Sequence, residues 1–153
     1  MKQILVVISA CLLLLSCGAG NSKSPNDASN GTGTNSLSYD PNRGEGKFKN
    51  VSVPPSLDTA MASNGEKVFS VKCSSCHKLT EEKLVGPGWK GVTKRYAAEW
   101  IMNFITNTDE MLNKDPKAQA QLEICLVRMP NQNLSDDDAR ALYEFQRKND
   151  DVK

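Results

Sequence analysis

Cys73-Ser74-Ser75-Cys76-His77 constrains this chain more than any other stretch. Two thiols three positions apart, followed at once by an imidazole, form the C-x-x-C-H signature of covalent haem attachment. The spacing has a chemical reason. The two cysteines can reach the two vinyl groups of one porphyrin as thioethers, and the next residue sets its imidazole beneath the iron as the proximal ligand. A domain built on this motif must fold around a large, flat, apolar group. Two other uses of the motif explain less of it. A redox dithiol gives His77 no role and wants a βαβ setting. Half of a zinc site wants two more ligands, and the sequence has no second C-x-x-C and no H-x-x-x-H.

His77 is the only histidine. Bis-histidine ligation within one molecule is therefore excluded, leaving methionine, lysine or an open site as the sixth position. Thioether sulfur suits ferrous iron and raises the potential. Met61 precedes the motif. Met102 lies about 200° from Trp100 on an ideal helix, away from the apolar stripe. Met111 sits in the polar stretch Asp109-Glu110-Met111-Leu112. Met129 stands in Arg128-Met129-Pro130, 52 residues after His77 (129 − 77). Proline ends the preceding helix and favours a loop that can present a side chain to iron. Met129 is the expected distal ligand; the competing use of any methionine is core packing.

The chain has 153 residues, enough for one domain. Its 19 basic residues nearly balance 18 acidic ones, which argues against a nucleic-acid binder. Aromatics make up only 6%, so a large apolar cofactor would supply core that the side chains do not. Residues 1–16 read as a leader: Lys2 is followed by a mainly apolar run, Ile4 to Leu15, too short for a permanent membrane span. It ends in Leu14-Leu15-Ser16-Cys17, which resembles the lipobox of bacterial lipoproteins and makes Cys17 the expected lipidated residue. An earlier match at Ile8-Ser9-Ala10-Cys11 leaves the apolar region too short, and an ordinary cleaved leader with an incidental cysteine is the plainer alternative. Multiple acyl chains anchor stably, at about 0.8 kcal/mol per buried methylene. Residues 18–38 are dominated by Gly, Asn, Ser and Thr and are expected to be a tether with a reach of about 25 Å. Residues 17–56 thus comprise the anchor, the tether and an extension in which Phe48, Val51 and Val53 can pack on the domain; residues 57–150 form the domain itself.

Within the domain the periodicities are helical. The first helix is expected from Asp58 to Lys72, with a kink or break at Asn64-Gly65. Ala97, Trp100, Ile101, Phe104 and Ile105 form one stripe of a helix over 97–106. A shorter helix is expected over 117–126. The last begins at Ser135, with Asp138 three residues on and a stripe of Ala139, Leu142, Tyr143 and Phe145. No alternating strand pattern exists, so the domain is expected to be all-α.

From Asn64 to Lys148 the chain resembles the class I cytochromes c. Gly65 and Phe69 match positions of that family's first helix that pack on its terminal helix. Gly86-Pro87 matches its Gly-Pro, and the resemblance implies that the Pro87 carbonyl accepts a hydrogen bond from the proximal imidazole. Met129-Pro130 followed by Leu134-Ser135-Asp136 matches its axial-methionine loop and terminal helix. The resemblance implies one covalent haem c, helices wrapped around it and one exposed haem edge. Lys83 to Trp89 and Cys125 to Gln132 resemble lipoprotein cytochromes of Bacteroidetes-like bacteria, some associated with nitrous-oxide reductase.

Three details complete the reading. Trp89 and Trp100 are expected to pack the haem pocket, with donation of an indole N–H to a haem propionate as the alternative. Cys125 is expected to be a small buried hydrophobe, with an intermolecular disulfide as the alternative. Gly65 to Ala98 carries seven basic and three acidic residues, and Glu99 to Lys153 seven basic and eleven acidic, giving +4 and −4. Such a dipole can steer an acidic partner through Lys72, Lys78, Lys83 and Lys90; a mixed solvated surface is the plainer alternative. The expected function is a one-electron carrier, lipid-anchored in the periplasm, between a quinol-linked respiratory donor and a reductase or oxidase, with nitrous-oxide reductase among the candidates. A haem sensor or gas binder would need a labile sixth ligand. A peroxidase would want a second C-x-x-C-H and a spare histidine, neither of which is present, so no catalytic residue is expected.

Overall fold

The computed structural model describes residues 39–153; the leader, Cys17 and residues 18–38 lie outside the described residues. Among the described residues six helices carry the fold: α1 (Thr59–Lys72), α2 (Val92–Arg95), α3 (Ala98–Thr106), α4 (Thr108–Lys114), α5 (Pro116–Cys125) and α6 (Asp136–Asn149). The described residues form no strand, and one isolated antiparallel bridge joins His77 to Lys83. The domain is all-α, as its periodicities require.

Local chemistry sets the helix ends. Asp58 caps α1 by accepting the Met61 N–H at 2.8 Å, and Ser135 caps α6 by accepting that of Asp138 at 3.1 Å. Three aspartates in the first turn of α6, with Arg147 and Lys148 in its last, complement the helix dipole. Asp115-Pro116 starts α5 one residue earlier than expected, because Asp115 caps it and proline suits the first helical position.

The helix α1 runs unbroken through Asn64-Gly65. Glycine is there because α1 presses on α6: a Cβ at residue 65 would lie 2.0 Å from the Ala141 carbonyl oxygen. Beyond that contact Phe69 packs on Phe145 and Trp89, with ring centroids 5.5 and 4.8 Å apart.

Residues 43–58 lie against the helices. Buried Asn103 donates to the carbonyls of Arg43 and Phe48 and accepts the Phe48 N–H. Glu99 accepts the Val51 N–H, and Arg147 donates to the carbonyls of Pro54 and Pro55. Glu144, fully buried, holds the Asp58 N–H and both Arg140 and Arg147. Phe48, Val51 and Val53 add apolar contact to the core.

This packing corrects two sequence expectations. Met102 was placed off the apolar stripe, yet it is 2% exposed, because α3 is covered on more than one side. Met111 was placed in a polar connection, yet it lies in α4, fully buried, with its Sδ 3.0 Å from the Glu45 backbone N–H.

Candidate functional site

The end of α1 shapes the motif. Cys73 closes the helix, its N–H bonded to the Phe69 carbonyl, and its own carbonyl accepts the N–H groups of Cys76 (3.1 Å) and His77 (2.9 Å). The following loop folds back along this turn: the Gly86 N–H donates to the Cys76 carbonyl and the Trp89 N–H to the Lys78 carbonyl, both at 2.9 Å. The return brings residue 86 against the imidazole. A Cβ there would lie 2.3 Å from His77 Cε1, so only glycine admits the ring.

His77 Nδ1 lies 2.9 Å from the Pro87 carbonyl oxygen. A carbonyl can only accept, so Nδ1 carries the proton and Nε2 keeps its lone pair. Burial lowers the His77 pKa, and the Pro87 hydrogen bond opposes this without overcoming it, which favours the neutral ring. Burial also pushes the Cys73 thiol up to about 11, despite the neighbouring Lys72. A thioether in that place would carry no charge to bury.

Cys76, His77, Pro87 and Met129 line one cavity of about 230 Å³. Cys73 is buried in the adjoining core, one turn back. Met61, Met102 and Met111 do not line the cavity, and no lysine among the described residues does. Its walls are chiefly apolar. Tyr96, Trp100 and Phe104 form a stacked series along one wall, with centroids 4.2 and 5.2 Å apart. Trp89 packs between Phe69 and His77, as expected of a pocket residue. The Trp100 indole is committed within the protein: Nε1 donates to Asp115 Oδ2 at 3.1 Å, which removes it as a propionate donor. Cys125 is half-buried on the cavity wall, not sealed in the core.

Sequence reasoning missed Asp115. It is fully buried and accepts from Trp100, from the Tyr39 hydroxyl (2.7 Å) and from the Ala118 N–H (2.8 Å). Partial burial, and after it the hydrogen bond to Asp115 and the charge of that carboxylate, push the Tyr39 pKa up to about 12. The Asp-Pro pair at the head of α5 is the sequence signal that could have found it. Gln146 was missed as well; it brings an amide to the cavity, with Oε1 lacking a partner among the described residues. No local pattern marks it. Buried Asp150 accepts from the N–H groups of Gly91 and Thr93 and so fixes α2 beside the cavity.

This donor set fits a porphyrin. One nitrogen lone pair, one thioether sulfur and one cysteine thiol face a chiefly apolar cavity, with the second thiol one turn away. The chain matches the family model described as cytochrome c over residues 62–149. Among solved structures it is similar to a cytochrome c from Rhodothermus marinus, with a TM-score of 0.67 and 32% identity over 71% of this chain and 92% of that one. An engineered form of that cytochrome, Rma TDE, aligns with a TM-score of 0.66 and 32% identity over 69% and 91%. No curated protein sequence matches.

Proposed function

The chain belongs to the class I c-type cytochromes, binding one covalent haem c and carrying electrons between partner proteins, and from that premise we propose that it serves as a lipid-anchored periplasmic carrier. In this reading Cys73 and Cys76 would hold the haem as thioethers, and His77 through Nε2 and Met129 through its sulfur would ligate the iron. When bound, the haem takes up and releases one electron at its iron.

The chain's own residues account for the rest. Pro87 fixes the orientation and tautomer of His77 through Nδ1. Gly86 leaves room for that ring. The Tyr96–Trp100–Phe104 wall keeps water away, and a dry, low-dielectric surround disfavours the added positive charge of the ferric iron, so the wall would raise the potential alongside the ligands. A sixth protein ligand leaves no open position for substrate, in keeping with a carrier and not an enzyme. Cys17 would hold the domain at a membrane, and residues 18–38 would give it reach. The upstream partner would be a quinol-linked donor, and the downstream one a reductase or oxidase. The relatives found carry no link to nitrous-oxide reductase.

The observation that carries this reading is the shared cavity of His77, with Nδ1 engaged by Pro87, and Met129. Spectroelectrochemical titration of the full holoprotein tests it. The expected result is one reversible transition with a one-electron slope. An irreversible transition, or spectral change with turnover of a substrate, would contradict it.

A further inference from the structure

Asp115 is a buried carboxylate without a cation. It is fully buried, and no salt bridge among the described residues includes it. Its three donors are all neutral. Oδ2 accepts the Trp100 indole N–H and the Tyr39 hydroxyl, and Oδ1 accepts the Ala118 N–H. An N–H can only donate, and one faces each oxygen, so the bonds hold the group as a carboxylate. Glu144, equally buried, has two arginines against it. Buried Asp150 also lacks an ion pair, but it bonds Gly91 and Thr93, neither of which lines the cavity. Asp115 alone of the three is bonded to a side chain of the cavity wall.

The cap on α5 does not require the charge. Asparagine or serine caps a helix about as well as aspartate. A buried charge with no partner is costly, and neutral donors offset only part of that cost. The surroundings point its field inward. The extension closes the outer side: Tyr39 lies over the carboxylate, and a Cβ at residue 44 would sit 3.0 Å from Oδ2. On the inner side one indole, that of Trp100, separates the carboxylate from the cavity. The charge is felt at a second wall residue. Burial raises the pKa of the Tyr96 hydroxyl, Arg95 opposes this, and Asp115 adds to the rise.

The bound group supplies what Asp115 lacks. Iron in a porphyrin dianion carries a net positive charge when ferric and none when ferrous, propionates aside. A fixed negative charge nearby therefore favours the ferric state. In a low-dielectric wall the attraction is far larger than it would be through water.

We propose that Asp115, set behind Trp100, is a built-in countercharge to ferric haem and lowers the reduction potential of this cytochrome. It touches no ligand of the iron and acts through its field. It opposes the Met129 thioether and the dry wall, both of which raise the potential. The proposal rests on the haem-carrier reading above.

Redox titration of the full holoprotein beside Asp115→Asn and Asp115→Ser is the test. Both replacements are neutral and both can cap α5, so either one reads the charge if the other does not fold. Each should shift the one-electron equilibrium about tenfold towards ferrous iron, which raises the midpoint potential by about 59 mV. The visible spectrum and its far-red band should stay as in the wild type. The difference from wild type should persist at high ionic strength, because salt screens a buried charge poorly. A midpoint potential that is unchanged or lower in the neutral variants, or a difference that vanishes in salt, would overturn the proposal and leave the carrier reading in place. A wild-type protein with no reversible one-electron transition would overturn both.

Discussion

His77 and Met129 draw on very different amounts of structure. His77 is placed by the turn that its own motif forms and by a loop ten residues on, through the Pro87 carbonyl. Met129 reaches the cavity only because α5 and α6 bring the intervening segment back to it. Its replacement is therefore the informative one. Met129→Ala should abolish the weak far-red sulfur-to-iron band of the ferric protein and lower its reduction potential, because thioether sulfur favours ferrous iron. Met111→Ala should behave in the opposite way. It empties a fully buried site and should cost about 2–5 kcal/mol of stability, yet leave the band in place, since the Met111 sulfur is occupied by the Glu45 N–H. Absorbance near the far-red band and thermal denaturation of the two variants separate these outcomes. A band that survives loss of Met129 contradicts the ligand assignment.

Among the elements, α6 joins the extension to the helices through Glu144. Burial alone would raise this carboxyl's pKa, but hydrogen bonds from Arg140, the Asp58 N–H and Arg147 outweigh it and hold the pKa below the usual carboxylate value. A group depressed in this way contributes stability above its unfolded pKa and loses it as pH falls through the folded one. The melting temperature should therefore drop as pH falls below about 4. Glu144→Gln should lower stability at neutral pH by roughly 3–5 kcal/mol, for two arginines left without their carboxylate, and should flatten the acid limb of the melting-temperature profile. An acid limb equally steep in both proteins would show that other carboxylates govern it. The helices that the sequence revealed share a physical basis. The stripe of α3 and the caps of α1 and α6 are local signals, and so is the C-x-x-C-H turn. The short helices α2 and α4 were not foreseen, since neither is long enough to show a periodic stripe. The stacked wall and the Trp100–Asp115 bond were illegible for a related reason: they arise where α3, α4 and α5 meet, and no single segment encodes them.

For the whole molecule, the carrier reading divides labour between a domain that holds haem and a leash that holds the domain. Cys17→Ser should release the cytochrome from membranes into the soluble periplasmic fraction with its visible spectrum unaltered, as fractionation and absorbance would show. Retention on membranes would point to a protein partner or an uncleaved leader as the anchor. All of this presumes that both axial positions of the iron are filled by the chain, which is also what separates a carrier from a gas-binding sensor. The most direct measurement is the visible spectrum of the ferrous holoprotein at neutral pH before and after addition of carbon monoxide, with Met129→Ala as the open-site control. The carrier account predicts no change in the wild-type spectrum and formation of the carbon monoxide complex only in the variant; ready binding by the wild-type protein would contradict it.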